Sequence, residues 1–157
     1  MEIAGSSSAA GCRFAVIVSR FNSDITDGLL RGALSALRAA RAAEGDVTIV
    51  RVPGAFELPL TALRLAETGR FEAVIALGCL IKGDTMHFEY IAESVSHGLM
   101  QVSTATGVPV AFGVLTTLNE DQALERAVDG PGNKGQEAAA AAIEMATLMR
   151  QLPKGTA

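Results

Sequence analysis

Tryptophan is absent, aromatic residues make up 4 % of the 157 residues, and the chain has only two histidines and two cysteines. Each shortage excludes something. Cys12 and Cys79 lie far apart without CxxC spacing, so a disulfide framework is not expected; with no signal-peptide pattern, a reducing cytoplasm is the expected location. His87 and His97 fall outside any HExxH pattern and lack a cysteine cluster, so no metal site is expected. Positive charge is also short: the net charge is −4, which argues against a nucleic-acid-binding surface. The most apolar helical stretch, Ala138 to Met149, is interrupted by Glu144 and is too short to span a bilayer, so no membrane role is expected.

What is present is a globular composition, 49 % apolar and 19 % charged, at a length that fits one domain. Residues 1–12, rich in Ser, Ala and Gly, read as a mobile tail ahead of a single domain over 13–157. Strands are predicted at Arg13–Val18, Val47–Val52, Ala73–Leu77 and Val110–Leu115, each apolar almost throughout, as expected of strands buried on both faces. Helices are predicted at Asp24–Ala43, Leu58–Glu67 and Glu89–Thr106, with a fourth starting near Asn119 and a fifth over Gln136–Gln151. Strand and helix alternate, which predicts a three-layer α/β sandwich, flavodoxin-like, with a four-stranded parallel sheet flanked by helices on both faces.

A parallel sheet sends the loops after its strands to one edge, and that edge is where such proteins bind ligands. Four loops should meet there: Ser19–Asn22, Pro53–Glu57, Cys79–His87, and Thr116–Thr117 with Phe112 just upstream. Phe21, Phe56 and Phe88 fall in or beside these loops, so the few aromatics are concentrated where a planar ligand could stack; plugging the sheet end is the alternative. His87 can take and give a proton near neutral pH, or serve as a hydrogen-bonded structural residue. Gly83-Asp84-Thr85 precedes a helix, where unpaired N–H groups favour an anion such as phosphate. Arg126 is the candidate for bidentate phosphate contact, with a solvated helix residue as the equal alternative, and Lys82 and Lys134 are weaker candidates. GNKG at Gly132–Gly135 lacks the phosphate-loop spacing and reads as a turn before the last helix.

Six ordered segments carry a resemblance: SRFNS from Ser19, VPGAFELPL from Val52, LGCLIKGDTMHFEY from Leu77, PVAFGVLTT from Pro109, QALERA from Gln122 and GNKGQEAA from Gly132. Together they resemble the lumazine synthase family over nearly the whole chain after the tail. The resemblance implies condensation of 5-amino-6-(D-ribitylamino)uracil with 3,4-dihydroxy-2-butanone 4-phosphate, without cofactor or metal, in the penultimate step of riboflavin biosynthesis. By the same resemblance His87 is the general acid/base and Phe21 stacks on the pyrimidine. Ala55, Phe56 and Glu57 hold the ring and ribityl chain, and Cys79, Leu80 and Ile81 line the ring pocket. Asp84, Thr85 and Arg126 match phosphate-binding positions, Asp84 through its backbone N–H, with Lys134 assisting. Phe112 matches a wall residue supplied across a subunit interface. A homo-oligomer built on pentamers is implied, with association with riboflavin synthase left open.

The sequence departs from the family pattern at Lys82, where an arginine is common, and in Val128–Gly132, the loop linked to whether pentamers build a sixty-subunit capsid. Three other readings stand beside the resemblance. A cysteine hydrolase would use Cys79 and His87; an FMN carrier would bind at the same edge, although its phosphate loop should follow the first strand; a non-catalytic shell or binding protein would keep the fold alone.

Overall fold

The computed structural model describes residues 1–155. Four strands, β1 (Phe14–Ser19), β2 (Val47–Val52), β3 (Ala73–Ile81) and β4 (Val110–Thr117), form one parallel sheet in the order β2-β1-β3-β4. Helices α1 (Ser23–Ala39), α2 (Leu58–Glu67), α3 (His87–Thr106), α4 (Glu120–Glu125) and α5 (Lys134–Gln151) complete the chain. The alternation of side chains along a strand sets the two cores. Phe14, Val16 and Val18 of β1, with Ile75 and Leu77 of β3, pack under α1 and α5. Ala15 and Ile17, with Val74 and Ala76, pack under α2 and α3. The expected three-layer, flavodoxin-like sandwich is therefore the fold, and its strand order follows the doubly wound rule.

Helix α5 crosses close to α1 because glycines lie where they touch: a Cβ at Gly135 would run into the Leu29 carbonyl, and one at Gly32 into Asn133. Asn133 locks this crossing. Its Oδ1 accepts the N–H groups of Gly135 (2.9 Å) and Gln136 (3.1 Å), capping α5, while its Nδ2 donates to the carbonyls of Gly28 and Val128, both at 3.0 Å. That cap starts α5 two residues before the expected Gln136.

Four expectations change. Strand β2 is not buried on both faces: only Val52 is buried and Thr48, Ile49 and Arg51 are exposed, because β2 is the sheet edge and pairs with β1 alone. Strand β3 runs four residues beyond Leu77, since β4 extends with it and pairs Gly78–Ile81 against Val114–Thr117. Helix α1 ends at Ala39 rather than Ala43, where Arg41 adopts φ 72° and turns the chain. Residues 1–12, expected as a tail, lie along α1 and α5: the Ser6 N–H donates to Thr147 Oγ1 (2.7 Å), the Ala9 N–H to the Ala40 carbonyl (2.8 Å), and Gln151 Nε2 to the Ala4 carbonyl (2.7 Å). Ala9 and Cys12 are buried there.

Candidate active site

Strand β1 stops at Ser19, and the backbone then binds sideways to the exit of β2: the N–H of Arg20 donates to the Val52 carbonyl (2.8 Å) and that of Phe21 to the Pro53 carbonyl (3.0 Å). Phe21 is left with its ring 69 % exposed. Across from it, Pro53 and Gly54 lead into a 3-10 turn, Ala55–Glu57, which carries Phe56 with 62 % exposure. Glu57 does not swing free, because its Oε2 accepts the Gly54 N–H (3.0 Å). The third wall comes from the end of β3 and the start of α3. Leu80, Ile81, Thr85, His87 and Phe88 face a pocket of about 560 Å³ that they share with Phe21, Ala55, Phe56 and Glu57. Thr85 Oγ1 accepts the His87 N–H (3.4 Å), and His87 opens α3 with an exposed side chain.

The pairing register leaves something unusual beneath this pocket. The last β1–β3 pair is Val18 with Leu77, whereas β3 continues against β4 to Ile81 with Thr117. On the β1 side, then, β3 has an overhang. Backbone groups alternate in direction along a strand. The Lys82 N–H donates toward β4, to the Thr117 carbonyl (2.8 Å), and the Cys79 carbonyl faces the β1 side, where Asn22 Nδ2 donates to it (3.2 Å). By that alternation the N–H and C=O of Ile81 also face the β1 side, toward the pocket that Ile81 lines.

The predicted residues divide between two places. Phe112, Arg126 and Lys134 line a separate cleft of about 300 Å³ beside β4, with Thr116 and Thr117. Among the described residues the two clefts share no lining residue. There Arg126 Nη1 donates to the Gln122 carbonyl (2.9 Å), and Lys134 Nζ pairs with Glu137 Oε2 (2.8 Å). Three of the four expected loops thus meet in one pocket, and the fourth does not join them. Asp84 is exposed in the β3–α3 loop and lines neither cleft.

Cys79 points away from the pocket. Its side chain is 1 % exposed within the core under α1 and α5, and burial first, then the charges of Asp24 and Glu120, push its thiol up to about 11. A thiol so buried and so weakly acidic is a poor nucleophile at neutral pH, which counts against a cysteine hydrolase. Asn22, Gly54 and Ile91 line the pocket without having been singled out as site residues, while Phe88 lines it as the aromatic pattern suggested. Asn22 carried one legible signal, since asparagine at a strand exit tolerates the left-handed turn it adopts here, φ 59° and ψ 49°.

A small-molecule pocket walled by the loops leaving the carboxyl ends of parallel strands puts the chain among the α/β proteins that bind ligands at the sheet edge. The particular kind follows from the sequence itself: a family profile for 6,7-dimethyl-8-ribityllumazine synthase matches residues 11–150, and the chain belongs to that family. Membership makes it a transferase family member, associated with riboflavin biosynthesis and small-molecule substrates. No helix among the described residues is long and apolar enough to cross a membrane.

Proposed function

We propose that the chain condenses 5-amino-6-(D-ribitylamino)uracil with 3,4-dihydroxy-2-butanone 4-phosphate to give 6,7-dimethyl-8-ribityllumazine. The observation that carries this reading is the β3 overhang under two exposed phenyl rings. A pyrimidine presents donors and acceptors along one edge, as a strand does, so it can take the vacant place beside Ile81 while Phe21 stacks on its face. Phe56 closes the pocket, Ala55 and Leu80 shape it, and the Glu57 carboxylate, oriented by Gly54, receives ribityl hydroxyls. Cys79 contributes main chain rather than its thiol.

We place the phosphate at Gly83–Thr85, in the loop that leads into the N-terminus of α3, with the backbone N–H of Asp84 among its donors. Phe112, Arg126 and Lys134 stand in the cleft on the opposite edge of the same chain, so we assign them to the pocket of a neighbouring subunit in a homo-oligomer, a pentamer or an assembly of pentamers. In that arrangement Arg126 clamps the phosphate, Lys134 assists and Phe112 walls the ring.

The chemistry then needs only proximity and proton transfer. The 5-amino group attacks the ketone and water leaves, giving an imine; phosphate leaves by elimination; ring closure expels a second water. His87, exposed at the pocket rim, carries protons between these steps. Holding the two reactants side by side can supply on the order of 7 kcal/mol. The test is to mix protein and both substrates, following the lumazine absorbance and phosphate release. A rate no higher than the spontaneous background would refute the assignment.

A further inference from the structure

Phe21 poses a physical problem that the proposed function does not answer. A ring that is 69 % exposed has little packing to hold it over a ligand, so its direction has to come from the backbone that carries it. On one side that backbone is fixed by the two hydrogen bonds to the exit of β2. On the other side stands Asn22. Its φ of 59° is a left-handed conformation that few residues other than glycine adopt without strain, and asparagine is among them. Its carbonyl accepts the N–H groups of Ile25 and Thr26, both at 2.9 Å, so the same residue starts α1. Its side-chain amide crosses to β3 and donates to the Cys79 carbonyl at 3.2 Å.

We propose that Asn22 is a positioning residue for recognition of the planar substrate, acting through Phe21 and through the main chain of β3. One contact does two things. It ties the Phe21 loop to the overhanging strand, fixing the distance between the ring that stacks and the backbone edge that reads. It also occupies the Cys79 carbonyl, which otherwise would be a second acceptor facing the pocket side, and so leaves the Ile81 pair as the edge a pyrimidine meets. The phosphate-binding loop and the cleft of Arg126 lie outside this linkage. The proposal rests on the functional reading above.

Two variants and one non-reacting probe test it. Asn22→Gly keeps the left-handed turn and removes the amide; Asn22→Asp keeps shape and turn tolerance but sets a carboxylate against the Cys79 carbonyl. The probe is the product, 6,7-dimethyl-8-ribityllumazine, titrated by fluorescence, with KM measured for each substrate separately. Both variants should weaken lumazine binding, and raise KM for the aminouracil, by about fivefold, the worth of one ordinary hydrogen bond. Asn22→Asp should be the worse of the two, and KM for the phosphoketone should stay within about twofold. Unchanged lumazine affinity in a folded Asn22→Gly protein would overturn the proposal. So would an equal rise in both KM values, which is what general loosening of the site produces. If the unaltered protein neither binds nor forms lumazine, the functional reading itself fails, an outcome distinct from both.

Discussion

Replacing Asn133 by alanine removes four hydrogen bonds from a site that is 1 % exposed, and water has little access to replace them. Two of the orphaned groups are the Gly135 and Gln136 N–H groups at the start of α5; losing a cap of this kind costs about 1 kcal/mol. The other two are the carbonyls of Gly28 and Val128, which lose an amide donor inside the α1–α5 crossing, at about 1–2 kcal/mol each. The total is about 3–5 kcal/mol, a large share of the roughly 5–15 kcal/mol that holds a domain together. With a urea slope of about 2 kcal/mol per molar, the unfolding midpoint should fall by about 2 M. The assay is urea unfolding by circular dichroism at fixed protein concentration, because self-association would shift the midpoint by mass action. Asn133→Asp restores the cap and adds a charge favoured by the helix dipole, yet loses both amide donors, so it should recover only about 1 kcal/mol of the loss. A midpoint shift under about 0.5 M for Asn133→Ala, at unchanged slope, would refute this account of the α1–α5 junction.

Co-expressing His87→Ala with Arg126→Ala tests the division of residues between two clefts: in mixed rings about a quarter of sites draw His87 and Arg126 from intact partners, so activity should exceed that of either variant alone. Recovery no greater than the sum of the single variants would place both residues in one subunit's site. Cys79→Ala should keep kcat/KM within about threefold, since the thiol sits in the core with its pKa pushed up to about 11; a hundredfold loss would reinstate a thiol role. Glu72 should contribute to the loss of stability in acid. Burial, its largest influence, raises its pKa, but the side-chain and backbone hydrogen bonds from Arg13 and the charges of Arg13 and Arg150 outweigh it, leaving the carboxyl below the usual 4.5. A depressed carboxylate stabilises the fold above its unfolded pKa, and that contribution fades as pH falls below about 4.5 through the folded value. Glu72→Gln should therefore lower stability at pH 7 and flatten the decline in that acid window, as measured by thermal unfolding across pH.

The alternation of strand and helix was readable because β1 and β3 are apolar along their length, and only a sheet covered on both faces accommodates such strands. The position of β2 was harder to see, since an edge is defined by which strands pair across the chain, and local periodicity carries no such information. Thr48 and Arg51 within VTIVRV were the trace of it. The length of β3 was hidden for a related reason: Gly78 reads as a turn residue until β4 is seen to extend beside it. That error had a chemical consequence, because continuing the strand past Gly78 turns the Cys79 side chain toward α1 and α5 and away from the ligand pocket. The loop residues around His87 were legible as a group, since they are contiguous. Arg126 and Lys134 were not separable from them, as nothing in a linear chain tells which edge of the sheet a helix after β4 will approach.

The unequal lengths of β1 and β3 bear on how this protein tolerates genetic change. On the proposed function, substrate is read by main-chain amides, and such recognition is not erased by most amino-acid replacements, since every residue except proline supplies the same pair. Leu80 and Ile81 can therefore drift among apolar residues while the reading edge persists. What the arrangement cannot absorb is a change in frame: two residues added to the end of β1 would fill the step that the shorter strand leaves open. Selection at this site should act more strongly on loop length than on side-chain identity, an asymmetry that a saturation library combining substitutions with short insertions would expose.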